Sequence, residues 1–111
     1  MNPSKIKGTA AESAVVSYLQ EKGWKGAERR ALQGVLDRGD ISGVEGVCLE
    51  VKNQKAQDLS GWVAELTTEI INAKAETGAV IHKKKGKTNV GDWYATMPVS
   101  IYVALLKKAG Y

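Results

Sequence analysis

Asp40, Glu50 and Lys52 are the residues whose types and spacing point most directly to chemistry. Side chains alternate faces along a strand, so Glu50 and Lys52 project the same way. The segment around them reads as a hairpin, with strands over residues 40–43 and 47–52 and a turn bracketed by Gly43 and Gly46. Folded symmetrically about Glu45, the hairpin pairs Asp40 with Glu50, Ile41 with Leu49 and Gly43 with Val47. Directly opposite residues share a face, with Cβ atoms roughly 5 Å apart. Asp40, Glu50 and Lys52 then gather on one face, and Ile41, Val47, Leu49 and Val51 turn to the core. A two-residue turn at Glu45-Gly46 would instead slip the register by one and send Asp40 to the opposite face.

Two carboxylates opposed on one sheet face repel each other unless something sits between them. A divalent cation removes that cost, and an all-oxygen site suits Mg2+, with Mn2+ able to substitute. The Lys52 ammonium can neutralise part of the charge. Bound metal would lower the pKa of a water and polarise a phosphate. Lys52 would orient that water or stabilise developing negative charge. The bland alternative for the same spacing is a solvated salt bridge of Lys52 with Asp40 or Glu50.

The elements that must position these residues follow from the apolar periodicity. A first helix is expected over residues 9–22, with Thr9-Ala10-Ala11-Glu12 as a capping box and Gly23 as the stop. Residues 24–31 read as a strand and 32–38, with Gln33-Gly34, as a loop. A second helix over 59–76 carries the stripe Leu59, Trp62, Val63, Leu66, Ile70 and Ala73, and Gly78 ends it. A strand at 79–82, a basic turn from Lys83 to Lys87, a strand at 92–97 and a helix from Pro98 to about Lys108 complete the chain. The order α-β-β-β-α-β-β-α implies an α/β domain, a central mixed five-stranded sheet flanked by helices.

At 111 residues the chain fits one domain with a modest core, which leaves little room for an organic cofactor. One cysteine, Cys48, and one histidine, His82, exclude an internal disulfide and make a structural zinc site within one chain untenable. Cys48 falls on the Glu50 face as a small buried residue with no assigned role. His82 reads as structural or surface. Trp24, Trp62 and Trp93 read as core or interface residues. No apolar run is long enough for a membrane, and the first residues lack an apolar signal core, so a cytoplasmic setting is expected. The net charge of +4 favours a phosphate-backbone partner. Lys5, Lys7, Lys83, Lys84, Lys85 and Lys87 are the candidates to contact it.

An Asp, a short gap and then Glu-Val-Lys resembles the motif of the PD-(D/E)xK nuclease superfamily, with Gly39 where proline is usual. Lys7-Gly8-Thr9 with Glu12 resembles the N-terminal pattern of the archaeal-type Holliday junction resolvases. The resemblance spans about residues 5 to 85. It implies a restriction-endonuclease-like fold and Mg2+-dependent cleavage of a four-way DNA junction. Two symmetric cuts need two sites, hence a homodimer. It implies metal ligation by Asp40, Glu50, the Val51 main-chain carbonyl and Glu12, though a capping Glu12 could not also reach a metal. It also implies a DNA-facing arginine at Arg29 or Arg30, which face opposite ways on one strand. Other nucleases on this scaffold, nicking or branched-DNA specific, and a non-catalytic DNA-binding module remain alternatives. Gln33-Gly34 stands where the resolvases carry a serine.

Overall fold

Val47-Cys48-Leu49-Glu50-Val51-Lys52 and Thr77-Gly78-Ala79-Val80-Ile81-His82 are the two longest strands, and both are buried on both faces. That pattern belongs to the centre of a sheet covered by helices on either side. The computed structural model, which describes residues 2–31 and 36–111, places them there. The Gln33-Gly34 loop lies outside the described residues.

In chain order the elements are α1 (Pro3–Glu21), β1 (Glu28–Arg29), β2 (Ile41–Ser42), β3 (Val47–Lys52), α2 (Leu59–Ala73), β4 (Thr77–His82), β5 (Tyr94–Thr96) and α3 (Val99–Lys108), with a 3-10 turn at Val90–Asp92 before β5. The sheet order is β1-β2-β3-β4-β5. β3 and β4 run parallel and every other neighbouring pair is antiparallel. A parallel pair needs a crossover, and α2 supplies it. The protein is therefore an α/β domain with a mixed five-stranded sheet and three helices.

Each face of the sheet has its own core. Ala11 and Val15 of α1 pack on Ile41, Leu49, Val51 and Ala79. Trp62 and Leu66 of α2 pack on Cys48 and Val80. α3 has no buried residue and is tied to the body by Lys108 Nζ donating to Glu76 at 2.7 Å. No helix among the described residues is long and apolar enough to cross a membrane.

Several expected boundaries need correction. α1 starts at Pro3, not Thr9: the Asn2 side chain accepts from the Ser4 N–H at 2.9 Å, and Pro3 occupies the first turn. Thr9 is inside the helix, so it forms no capping box with Glu12. The first two turns are exposed and carry no apolar stripe, so periodicity alone misses them. The first strand is only Glu28–Arg29, rather than residues 24–31. α2 ends at Ala73, where Lys74 adopts a left-handed conformation at φ 53°. Gly78 does not stop that helix. It lies within β4, where an added Cβ would sit 2.5 Å from the Cys48 carbonyl oxygen.

The hairpin register depends on a bulge. The Val47 N–H donates to the Val44 carbonyl, making Glu45-Gly46 the two-residue turn that by itself would shift the register. Yet Ile41 pairs with Leu49. The first strand holds one extra residue between that pair and the turn, and Gly43 absorbs it at φ 87°. A Cβ on Gly43 would lie 2.0 Å from the Gly26 carbonyl oxygen, so only glycine fits there.

Candidate functional site

Asp40 stands one residue before β2. Its N–H donates to the Leu49 carbonyl at 2.9 Å, and its carbonyl accepts from the Arg30 N–H at 2.8 Å. Its carboxylate accepts from the Val51 N–H at 2.7 Å. The side chain thus continues the ladder where the strand stops, and the backbone of β3 holds it beside Glu50. Glu50 is 4% exposed because α2 covers its face of the sheet. Hairpin alternation places Asp40 and Glu50 together, but it does not foresee that the face they share lies beneath a helix.

Burial dominates the electrostatics. The Asp40 carboxyl is pushed up to about 8, first by burial and then by the adjoining Glu50 carboxyl, against the opposing hydrogen bond from Val51. Glu50 is likewise pushed up to about 8, chiefly by burial, with Glu69 raising it further. Glu12 and Glu69 are raised from the ordinary range for the same leading reason. The apo site therefore holds protons that a cation would displace. Cys48, under the same helix, is pushed up to about 12 and stays a neutral thiol, its Sγ donating to the Arg38 carbonyl at 3.6 Å.

Lys52 pairs with neither Asp40 nor Glu50. Its Nζ donates to Glu65 of α2 at 3.0 Å. Burial lowers its pKa, but the contacts with Glu65 and the nearby Glu50 outweigh that and raise it. The ammonium remains charged and lines a cleft of about 460 Å³ together with Lys7 and Glu12 of α1, Asp37, Asp40, Glu50 and Val51, and Glu65 of α2. Glu12, freed from capping, accepts from Arg29 Nε at 3.1 Å.

Arg29 and Arg30 point opposite ways. Arg29 lies on the α1 side, and the half-buried Arg30 reaches back to the Ile41 carbonyl at 3.5 Å, its buried Nε having no partner among the described residues. Lys7 lines the cleft and Lys5 is exposed on the preceding turn of α1. The parallel pairing carries β3 and β4 to the same end of the sheet, and the Lys83 N–H donates to the Lys52 carbonyl at 3.1 Å. The turn bearing Lys83, Lys84, Lys85 and Lys87 therefore starts beside the cleft. Lys83 sits over the Trp93 ring at 5.8 Å, and Lys84, Lys85 and Lys87 are exposed.

His82 is structural: 5% exposed, with Nε2 2.7 Å from the Thr96 hydroxyl and its ring against Trp62 and Tyr94. Trp62 is core, whereas Trp24 is half exposed.

Three acidic residues near the site escape the hairpin pattern. Glu69 is buried on α2, Asp37 and Glu50 each bring an oxygen to it within 4.8 Å, and Glu65 holds Lys52. One signal was available in the sequence. Glu69 lies three residues after Leu66 and seven after Trp62, a carboxylate on the apolar stripe. Asp37 left no such trace.

Comparison with protein-family models, curated proteins and solved structures finds no match for this chain. The residues themselves offer only oxygen donors, drawn from groups that burial makes reluctant to ionise without a cation. One of them, Glu69 Oε2, is buried with no donor among the described residues. That donor set fits a hard divalent ion.

Proposed function

We propose that this protein is a metal-dependent DNA endonuclease of the PD-(D/E)xK kind, with a restriction-endonuclease-like fold. It cuts branched DNA, most economically a four-way junction, as a homodimer. The observation that carries this is the Asp40 carboxylate, held by the Val51 N–H beside Glu50, with Lys52 lining the same cleft. Mg2+, or Mn2+ in its place, would be held by Asp40, Glu50 and the Val51 carbonyl, with Glu12 across the cleft. Once bound, the ion would supply an acidified water and a polarised phosphate.

The chain's own groups do the rest. Lys52 Nζ leaves Glu65 and donates to the water or to a phosphate oxygen as negative charge grows there. Lys7 and the basic turn hold the flanking backbone, with Lys5 and Arg29 at the α1 edge. Arg30, turned inward, braces the hairpin instead. A fold serves many activities, so the substrate rests on the site rather than on the architecture.

The test uses a labelled four-way junction and linear duplexes of the same arms, with Mg2+, with EDTA, and with Asp40→Asn protein. Paired nicks in the junction alone, lost with EDTA or in the variant, are expected. Equal cutting of the linear duplexes would keep the nuclease and remove junction preference. Binding without cleavage under Mg2+ and Mn2+ would leave a DNA-binding module.

A further inference from the structure

Acidic groups converge on the α2 side of β3 in greater number than the hairpin pair requires. Asp37, Glu50 and Glu69 each turn an oxygen to within 4.8 Å of the other two. Neither they nor Asp40 form an ion pair with lysine or arginine among the described residues. Of the basic side chains nearby, Lys52 is engaged by Glu65 and Arg30 turns to the Ile41 carbonyl.

Glu69 is the decisive residue. It is 2% exposed, and its Oε2 is buried without a hydrogen-bond donor among the described residues. Its carboxyl meets that of Glu50, and a buried carboxylate oxygen left without a donor is costly for a fold to hold. Trp62 and Leu66 on the same helix stripe are plain core residues, so packing does not call for a carboxylate there. Asp37 is held in place from two directions: its Oδ1 accepts from the Gly39 N–H at 2.9 Å, and Asn72 of α2 donates to its carbonyl at 2.8 Å. Gly39 allows this approach, since a Cβ there would press on Cys48 Sγ and the Leu49 carbonyl, both at 3.0 Å.

We propose that Asp37, Glu50 and Glu69 form a divalent-cation site beneath α2, next to Asp40 and sharing Glu50 with it. Opposite oxygens lie about 4.2 Å apart across Mg2+ and about 4.8 Å apart across a larger oxygen-ligated ion. Neighbouring ligands on one ion lie closer than opposite ones, so the three oxygens, within 4.8 Å of one another, draw together when the ion binds. All three ligands are carboxylate oxygens, a donor set that suits Mg2+ or Mn2+. The site goes beyond the cleavage reading, because it requires neither DNA nor a reaction.

The experiment titrates the full chain, stripped with EDTA, with Mn2+ alone and follows free Mn2+ by electron paramagnetic resonance. Glu69→Gln and Asp37→Asn are each expected to weaken one class of Mn2+ binding about tenfold or more while a second class persists. Asp40→Asn should spare the class that the other two remove. Glu69 is buried, so Asp37→Asn, at an exposed residue, separates lost ligation from lost folding. Superimposable titrations for wild type, Glu69→Gln and Asp37→Asn would overturn the site, as would loss in Glu69→Gln alone. Mn2+ binding that depends on Glu69 in a protein that cuts no DNA would uphold this site and remove the nuclease. Cleavage lost in Asp40→Asn with Mn2+ binding indifferent to Glu69 would do the reverse.

Discussion

Replacing Glu50 by glutamine should stabilise the metal-free protein, and by an amount that depends on pH. Glu50 is 4% exposed and its carboxyl is raised from 4.5 to about 8. A carboxyl whose folded pKa is raised binds its proton more tightly in the fold than in the unfolded chain. Its contribution to stability is thus fully present below about 4.5 and is lost as pH rises through about 8. Near pH 7 the folded chain bears about 2.5 pH units of this penalty, or about 3 kcal/mol if Glu50 is taken alone. Near pH 5 the figure falls below about 1 kcal/mol by the same arithmetic. Glutamine keeps the shape and never ionises. Glu50→Gln should therefore raise the melting temperature by about 8–12 °C near pH 7 in EDTA and by little near pH 5. Excess Mg2+ should close the gap from the other side, stabilising wild type by about 3 kcal/mol at a hundredfold excess over its dissociation constant and leaving the variant nearly unmoved. Thermal and urea melts across that pH range, with and without Mg2+, read both effects. A variant less stable than wild type at alkaline pH in EDTA, or a gap flat with pH, would refute a buried, cation-requiring carboxyl at this position.

Other expectations follow from single contacts. Lys52→Ala should cut cleavage by about 10²–10³-fold with little change in DNA binding, whereas Glu65→Gln should change cleavage by less than about tenfold, as single-turnover rates will show. Gly43→Ala places a methyl 2.0 Å from the Gly26 carbonyl at a positive φ, so urea melts should show a loss of about 3 kcal/mol or more together with loss of Mn2+ binding. Leu66→Ala, at a fully buried position in the α2 core, should cost about 2–5 kcal/mol in the same melts. Arg29→Ala should cost less than about 1 kcal/mol of stability, because its pair with Glu12 is exposed, yet lower the salt slope of junction binding by about 1.

The sequence by itself determined the order of elements, the helical stripe of α2 and the partners within the hairpin. All of these are encoded locally, in period-2 and period-3.6 patterns read over a few residues. Even the register held for a local reason, though not the expected one: Gly43 takes up the residue that the Glu45-Gly46 turn leaves over. The start of α1 was legible in Asn2-Pro3, but the apolar pattern begins only at Ala11 and drew the boundary inward.

Tertiary structure alone decided what surrounds the pair. β3 and β4 run parallel, so the chain needs a crossover, and α2 makes it over the sheet face that carries Glu50. That crossover buries Glu50, delivers Glu69 and Glu65 to it and draws Asp37 in through Asn72. Asp37, Glu50 and the α2 carboxylates are distant from one another along the chain, and no periodicity joins the three segments. Their pKa values moved because a helix removed the water from one face of a strand, and short-range sequence patterns carry no record of that.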